Sequence, residues 1–161
     1  MKETIETEYL GIKGRWRLTA RHIVTGEEVV KSGHNLIVLV GKTWLLHYVI
    51  NDGGYANGFT YCAMGNDNTA PVTGDSILIA EQSRKAITQK GPVGVGDIEV
   101  KLSTFFTAAE STYYIKEAGI FGHDASAAAG SGILWARWLS DFDNSLGNYD
   151  ITMDYYLELV S

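Results

Sequence analysis

The chain has 161 residues, enough for one domain with a real core, and a formal net charge of -6. Phosphate contacts need clustered Lys and Arg, so this acidic balance argues against a nucleic-acid partner. A single cysteine, Cys62, excludes an internal disulfide and any cysteine-based zinc site.

The apolar runs fall far short of the ~20 residues of a membrane span. Met1 to Glu8 is polar and acidic where a signal peptide needs an apolar stretch. The expectation is a soluble protein made in a reducing cytoplasm, with no membrane partner. Eighteen glycines and nine tyrosines suit an all-β chain with many turns.

Residues 1–10 carry no core pattern. Glu3, Glu6 and Glu8 alternate with Ile5, Thr7 and Tyr9. The segment reads either as a frayed terminus or as an arm that orders against a neighbouring subunit through Ile5, Tyr9 and Leu10. Residues 11–161 read as a single domain.

Gly14 to Ile23 is a predicted strand. Trp16, Leu18 and Ala20 share one face, and Arg15, Arg17, Thr19 and Arg21 the other. Val24-Thr25-Gly26-Glu27 is a hairpin turn, and Glu28 to Lys31 returns as a strand. The arginine face invites a phosphate-binding reading, but Glu27 and Glu28 lie across the turn, and cross-strand ion pairing explains it better. Asn35 to Leu39 begins another strand. Gly41 to Ile50 is the one predicted helix, with Val40, Trp44, Leu45, Tyr48 and Val49 as an apolar stripe and Asn51-Asp-Gly-Gly54 as its stop.

Phe59 to Gly65 is a strand with two apolar faces. Phe59, Tyr61 and Ala63 alternate with Thr60, Cys62 and Met64. Cys62 reads as a small buried hydrophobe. Asn66 to Gly74 is a polar loop, Asp75 or Ser76 is placed to cap a helical turn over Ile77, Leu78 and Ala80, and Arg84 to Thr88 is the next strand. Gly91 to Gly96 is a flexible turn. Asp97 to Ala108 is a strand, and Thr112 to Phe121 its expected hairpin partner. His123 to Gly132 is an exposed loop, Ile133 to Leu139 a strand, Asp141 to Asn148 a loop. Tyr149 to Val160 closes the chain, with Ile151, Met153, Tyr155, Leu157 and Leu159 on one face. Eight or nine strands, one short helix and no βαβ alternation predict an antiparallel β-sandwich of jelly-roll type.

The order of several of these parts resembles a pattern in tailed-bacteriophage virion structural proteins. A strand ends in Gly65, a polar loop follows, and Asp75, Leu78, Glu81 and Arg84 come next. Downstream, Tyr113-Tyr-Ile-Lys-Glu-Ala-Gly-Ile-Phe121 resembles the family's strand with Glu, a small residue, Gly and Phe. Upstream lies the turn Thr25-Gly26-Glu27 followed by Asn35-Leu-Ile-Val38. The resemblance spans roughly residues 14 to 160. It implies a head-decoration, collar or tail-fibre protein and brings no catalytic residues with it.

Constellations for chemistry are weak. Gly41-Lys42-Thr43 lacks the glycine five residues before it that a phosphate loop needs, since Leu36 stands there. His22, His34, His47 and His123 are scattered, without metal-site spacing. Asn66-Asp67-Asn68 and the group Asp141, Asp143, Asn144 and Ser145 read as Asx turns, or as a weak divalent-ion site between subunits. No Gly-x-Ser-x-Gly elbow occurs. Glu81 and Glu117 are candidates for paired glycosidase carboxylates, but adjacent Arg84, Lys85 and Lys116 make structural ion pairs or exposed charges the simpler reading. Trp135, Trp138, Tyr113, Tyr114, Tyr155 and Tyr156 could line a sugar-binding face, serve the core, or anchor a subunit interface.

The expectation is therefore a non-enzymatic virion protein without cofactor or metal. It would bind the outside of the capsid as a decoration or cement protein and assemble with itself, as a trimer. The major capsid protein or other virion proteins would be its partners, and Ile5, Tyr9, Leu10, Trp135, Trp138 and Tyr156 its interface residues. The alternatives are a tail-fibre, collar or baseplate component and a carbohydrate-binding module.

Overall fold

A computed structural model describes residues 10–55, 57–96 and 98–160. The chain forms two five-stranded antiparallel sheets packed face to face. The first sheet holds β1 (Gly11–His22), β2 (Glu28–His34), β6 (Gln89–Val93), β7 (Glu99–Phe106) and β10 (Tyr149–Val160), in the order β2-β1-β10-β7-β6. The second holds β3 (Leu36–Ile37), β4 (Phe59–Gly65), β5 (Glu81–Ala86), β8 (Tyr114–Gly122) and β9 (Ile133–Asp143), in the order β3-β9-β8-β4-β5. One helix, α1 (Leu39–Ile50), follows β3. The all-β sandwich expected from alternation is what forms. β1 beside β10 and β3 beside β9 are long crossovers of the jelly-roll kind, while β1–β2, β4–β5, β6–β7 and β8–β9 are neighbours within one sheet.

The core lies where the alternation puts it. Trp16, Leu18 and Ala20 of β1 and Ile151, Met153 and Tyr155 of β10 face inward, against Cys62 and Met64 of β4, Ala118 and Ile120 of β8, and Trp135 and Trp138 of β9. Trp16 stacks on Trp138, and Trp138 on Tyr155, at interplanar angles of 14° and 17°. The Trp135 indole N–H donates to the Tyr155 hydroxyl at 2.9 Å. A buried indole or phenol usually finds such a partner, although the Trp44 and Trp138 indole N–H groups here have none.

Several local expectations change. β7 and β8 do not form a hairpin. Between them lies a short 3-10 helix, Ala108–Ser111, with a capping box in which Thr107 and Glu110 satisfy each other's backbone ends. That turn carries the chain from one sheet to the other, and β7 pairs with β6 and β10 instead. β6 falls on the expected Gly91–Gly96 turn; Pro92 fits there because β6 is an edge strand. The helical turn after Asp75 does not form. Asp75 accepts from the Val72 N–H, and the N–H groups of Ile79 and Ala80 are taken by Glu117, so no helical ladder is left to make. Asn51, not a glycine, ends α1, in the left-handed region at φ 52°.

The second sheet is also covered on its outer face. Val38, Ala63, Leu78, Phe121 and Leu134 make a second, smaller core there. The loop between β4 and β5 closes over it, and α1 rests on the same sheet beside β9, with Gly41 and Trp44 as its buried residues.

Candidate functional site

Two of the three pieces of the sequence pattern, around Gly65–Arg84 and Glu117–Phe121, meet in one place, under the loop of residues 66–80, whereas Thr25-Gly26-Glu27 lies away from it in the β1–β2 turn. Glu117 on β8 is wholly buried and faces outward from the second sheet. Its carboxylate accepts from Ala80 N at 2.7 Å and Ile79 N at 3.1 Å. It also accepts from Arg137 Nε at 2.9 Å. Arg137, equally buried, donates on to Asp75 at 3.1 Å and to the Thr69 carbonyl at 2.9 Å. One acid and one base thus hold both ends of the loop, and most of the guanidinium's donors are spent.

Glu81 and Arg84 form a second, two-pronged pair at 2.7 and 2.9 Å. Arg84 also donates to the Ser131 carbonyl and lies 4.0 Å from the Phe121 ring centre. Glu81 accepts from Gly130 N, which ties the loop of residues 123–132 to the same network. The glycines of the pattern have steric reasons. A Cβ on Gly65 would stand 2.5 Å from the Ala80 carbonyl oxygen and from the Glu117 carboxylate. On Gly119 it would stand 2.9 Å from the Ala136 carbonyl oxygen. Glu81 and Glu117 therefore serve as anchors whose lone pairs are occupied, which disposes of them as a free catalytic carboxylate pair. Sequence reasoning missed Arg137. The available signal was an arginine set between two tryptophans in a doubly buried strand.

The expected interface residues scatter. Ile5 and Tyr9 lie outside the described residues. Leu10 is exposed at the start of β1. Trp135 and Trp138 are corrected: both are buried in the sandwich core and are not available to a neighbouring subunit. Tyr156 is half-buried on the outer face of the first sheet, with the Arg15 guanidinium 3.6 Å from its ring centre. A shared aromatic sugar platform is not formed either. Tyr155 is in the core, Tyr113 is packed against it, and Tyr114 and Tyr156 belong to different sheets.

The outer face of the first sheet is the main polar surface. Arg15 pairs with Glu99, and Arg21 lies opposite Glu28. Asp154 is buried between Lys101, at 3.0 Å, and the Ser103 hydroxyl, which donates to it. Burial works against the Lys101 ammonium, but the hydrogen bond and charge of Asp154 more than offset this and raise its pKa. The expected ion pairs with Glu27 and Glu28 do not form: Arg15 reaches instead across β10 to Glu99 on β7, and Arg21 faces Glu28 in the ladder without an ion pair.

The oxygen-rich loops behave as turns. Asp67 accepts from Thr69 N and Asp143 from Ser145 N; the Thr69 and Ser145 hydroxyls first, and these backbone N–H groups second, hold both carboxyls below their usual range. Asp141 accepts from the Tyr114 hydroxyl, and Asn144 is buried with bonds to Ser111 and Tyr149. Among the described residues, no three His, Cys, Asp or Glu side chains gather as metal ligands. No described helix is long and apolar enough to cross a membrane. Comparison of the chain with family models, with curated proteins and with solved structures finds no match.

Proposed function

We propose that the chain is a non-enzymatic structural protein of a tailed-bacteriophage particle, docked on the outside of the capsid as a decoration or cement protein. One observation carries this reading. Gly65, Asp75, Leu78, Glu81, Arg84, Glu117, Gly119 and Phe121, from the central and downstream pieces of the phage-like pattern, act together to seal a loop over the sandwich. Their polar groups bind protein partners, which suits a scaffold that must stay rigid under load. Copies repeated by symmetry, as in a trimer, would bridge adjacent capsomers and resist the outward pressure of packed DNA. The net charge of -6 would keep free assemblies soluble and apart before docking.

A tail-fibre, collar or baseplate position is the second reading, since the same sequence pattern covers such parts. A carbohydrate could use Tyr156, a half-buried outward-facing ring of the first sheet, only after the Arg15 guanidinium leaves its face.

Cosedimentation with undecorated phage heads tests the first reading, with the full chain and a chain lacking residues 1–10 run side by side. Binding by the full chain supports decoration, and binding lost with the arm assigns the lock to Ile5, Tyr9 and Leu10. No binding by either form refutes decoration and moves the protein to the tail, where a glycan array reports on the carbohydrate alternative.

A further inference from the structure

Helix α1 is apolar on every side, yet it is buried on only one. Its sequence, Leu39-Val-Gly-Lys-Thr-Trp-Leu-Leu-His-Tyr-Val-Ile50, contacts the sandwich through Gly41 and Trp44, with Leu45 partly covered. The footprint is narrow because the helix sits very close. A Cβ on Gly41 would stand 2.6 Å from the Trp135 carbonyl oxygen. The remaining large side chains point outward. Leu46, Val49 and Ile50 are 69%, 71% and 70% exposed, and Leu39, Val40 and Tyr48 are exposed as well. The Leu39 N–H donates to the Thr73 carbonyl, which brings exposed Val72 alongside. A helix that is hydrophobic all round belongs in an interior. At twelve residues and 1.5 Å per residue it is far too short to cross a bilayer.

We propose that α1 is the face through which copies of this chain associate with one another. Two observations select a second copy as the occupant. The first is charge. The chain is acidic overall, so most approaches of two copies set carboxylates against each other. α1 carries no acid, and its bases are Lys42 and His47, the latter held by Asp52. An α1-to-α1 contact brings none of the helix's own residues into a carboxylate-to-carboxylate approach. The second is area. Leu39, Leu46, Val49 and Ile50, which share one face of the helix, present on the order of 500 Å², at the top of the range for a patch on a monomer. Two such patches together bury about 1,000 Å², the lower bound of a specific interface. A self-complementary contact of this kind is the usual geometry of a closed symmetric assembly. Such a contact closes a two-fold dimer, not the trimer of the virion reading, and the inference rests on the helix alone and holds for a protein of any location.

Sedimentation equilibrium of the purified full chain tests it without phage heads, so its failure and that of the virion reading are separate events. The wild type is compared with Leu46→Glu/Val49→Glu, whose sites are exposed, and with a chain lacking residues 2–9. The expected result is self-association of the wild type below about 100 µM, weakened at least ~30-fold in the double variant, with an unchanged circular-dichroism melt. A wild type that stays monomeric at that concentration overturns the proposal, as does a folded double variant that associates like the wild type. Self-association that appears only after removal of residues 2–9 also overturns it, because the chain's own N-terminal segment would then be what covers α1. Should the double variant lose its fold, hydrogen exchange on the wild type decides. Protection of residues 39–50 that rises with protein concentration supports the contact, and protection that is independent of concentration refutes it.

Discussion

Replacing Glu117 with Gln removes one charge from the most enclosed ion pair in the protein. Glu117 and Arg137 are both fully buried, 2.9 Å apart. Taking away one member of a buried pair costs about 3–5 kcal/mol, because the other charge stays in a poor solvent. Asp75 still faces Arg137 at 3.1 Å, which puts the loss at the low end, about 3 kcal/mol. The amide keeps one acceptor oxygen for two backbone donors, Ile79 N and Ala80 N, and an orphaned buried donor adds about 1 kcal/mol or more. The sum is roughly 4 kcal/mol. For a chain of this size that corresponds to a fall in Tm of about 8–16 °C. Urea unfolding followed by tryptophan fluorescence measures the loss, and limited proteolysis reports whether residues 66–80 open before the sandwich does. A loss under about 1 kcal/mol, with the loop as resistant as in the wild type, would refute the claim that this carboxylate anchors the loop.

Two further outcomes follow from the titrating groups. Burial pushes the Cys62 thiol up to about 12, so at pH 8 it should ignore a water-soluble disulfide reagent until the protein unfolds; stoichiometric labelling within minutes in buffer would contradict its place in the core. Glu110 is held below its ordinary 4.5 by Lys85 and the Thr107 backbone, and Asp67 and Asp143 are lowered by bonds from Thr69 and Ser145. Lowered carboxyl pKa values add stability above the unfolded value, and this is lost as pH falls through the folded one. Tm should thus be level above about pH 5 and decline below it, and a Tm that rises on acidification from pH 5 to 3 would count against these assignments.

Period-two alternation made β1 and β10 legible almost to the residue, because each has one face inside and one in water. It served less well where both faces are buried. Trp135 and Trp138 are three apart, a spacing that a regular strand puts on opposite faces. Both point inward because the β8–β9 register slips between Ile120 and Phe121: Ile120 faces Ala136 and Phe121 faces Leu134, which leaves Trp135 as the extra residue of a bulge. No local signal marks that slip. Glu117 looked like a surface acid beside Lys116 because the cover that buries it comes from a loop some forty residues earlier. The helix stripe was legible as apolar, but whether its far side meets sheet, water or another molecule is a matter of tertiary placement. Edge strand β6 hid behind Gly91 and Pro92, which read as punctuation.

The position of β10 governs how the molecule can come together during synthesis. β10 runs antiparallel to β1 along twelve residue pairs and to β7 on its other side, in the middle of the first sheet. Before it leaves the ribosome, that sheet is only two separate hairpins, β1–β2 and β6–β7, with a gap one strand wide between them. Both hairpins then present open ladder edges, and Trp16, Leu18 and Leu102 have no central partner strand beside them. Closure must join residues more than a hundred positions apart, the arrangement that makes folding slow and leaves edges available to other nascent chains. The first sheet therefore cannot close until β10 has emerged, and a ribosome stalled shortly before Tyr149 would release a product that recruits chaperones or aggregates through those edges.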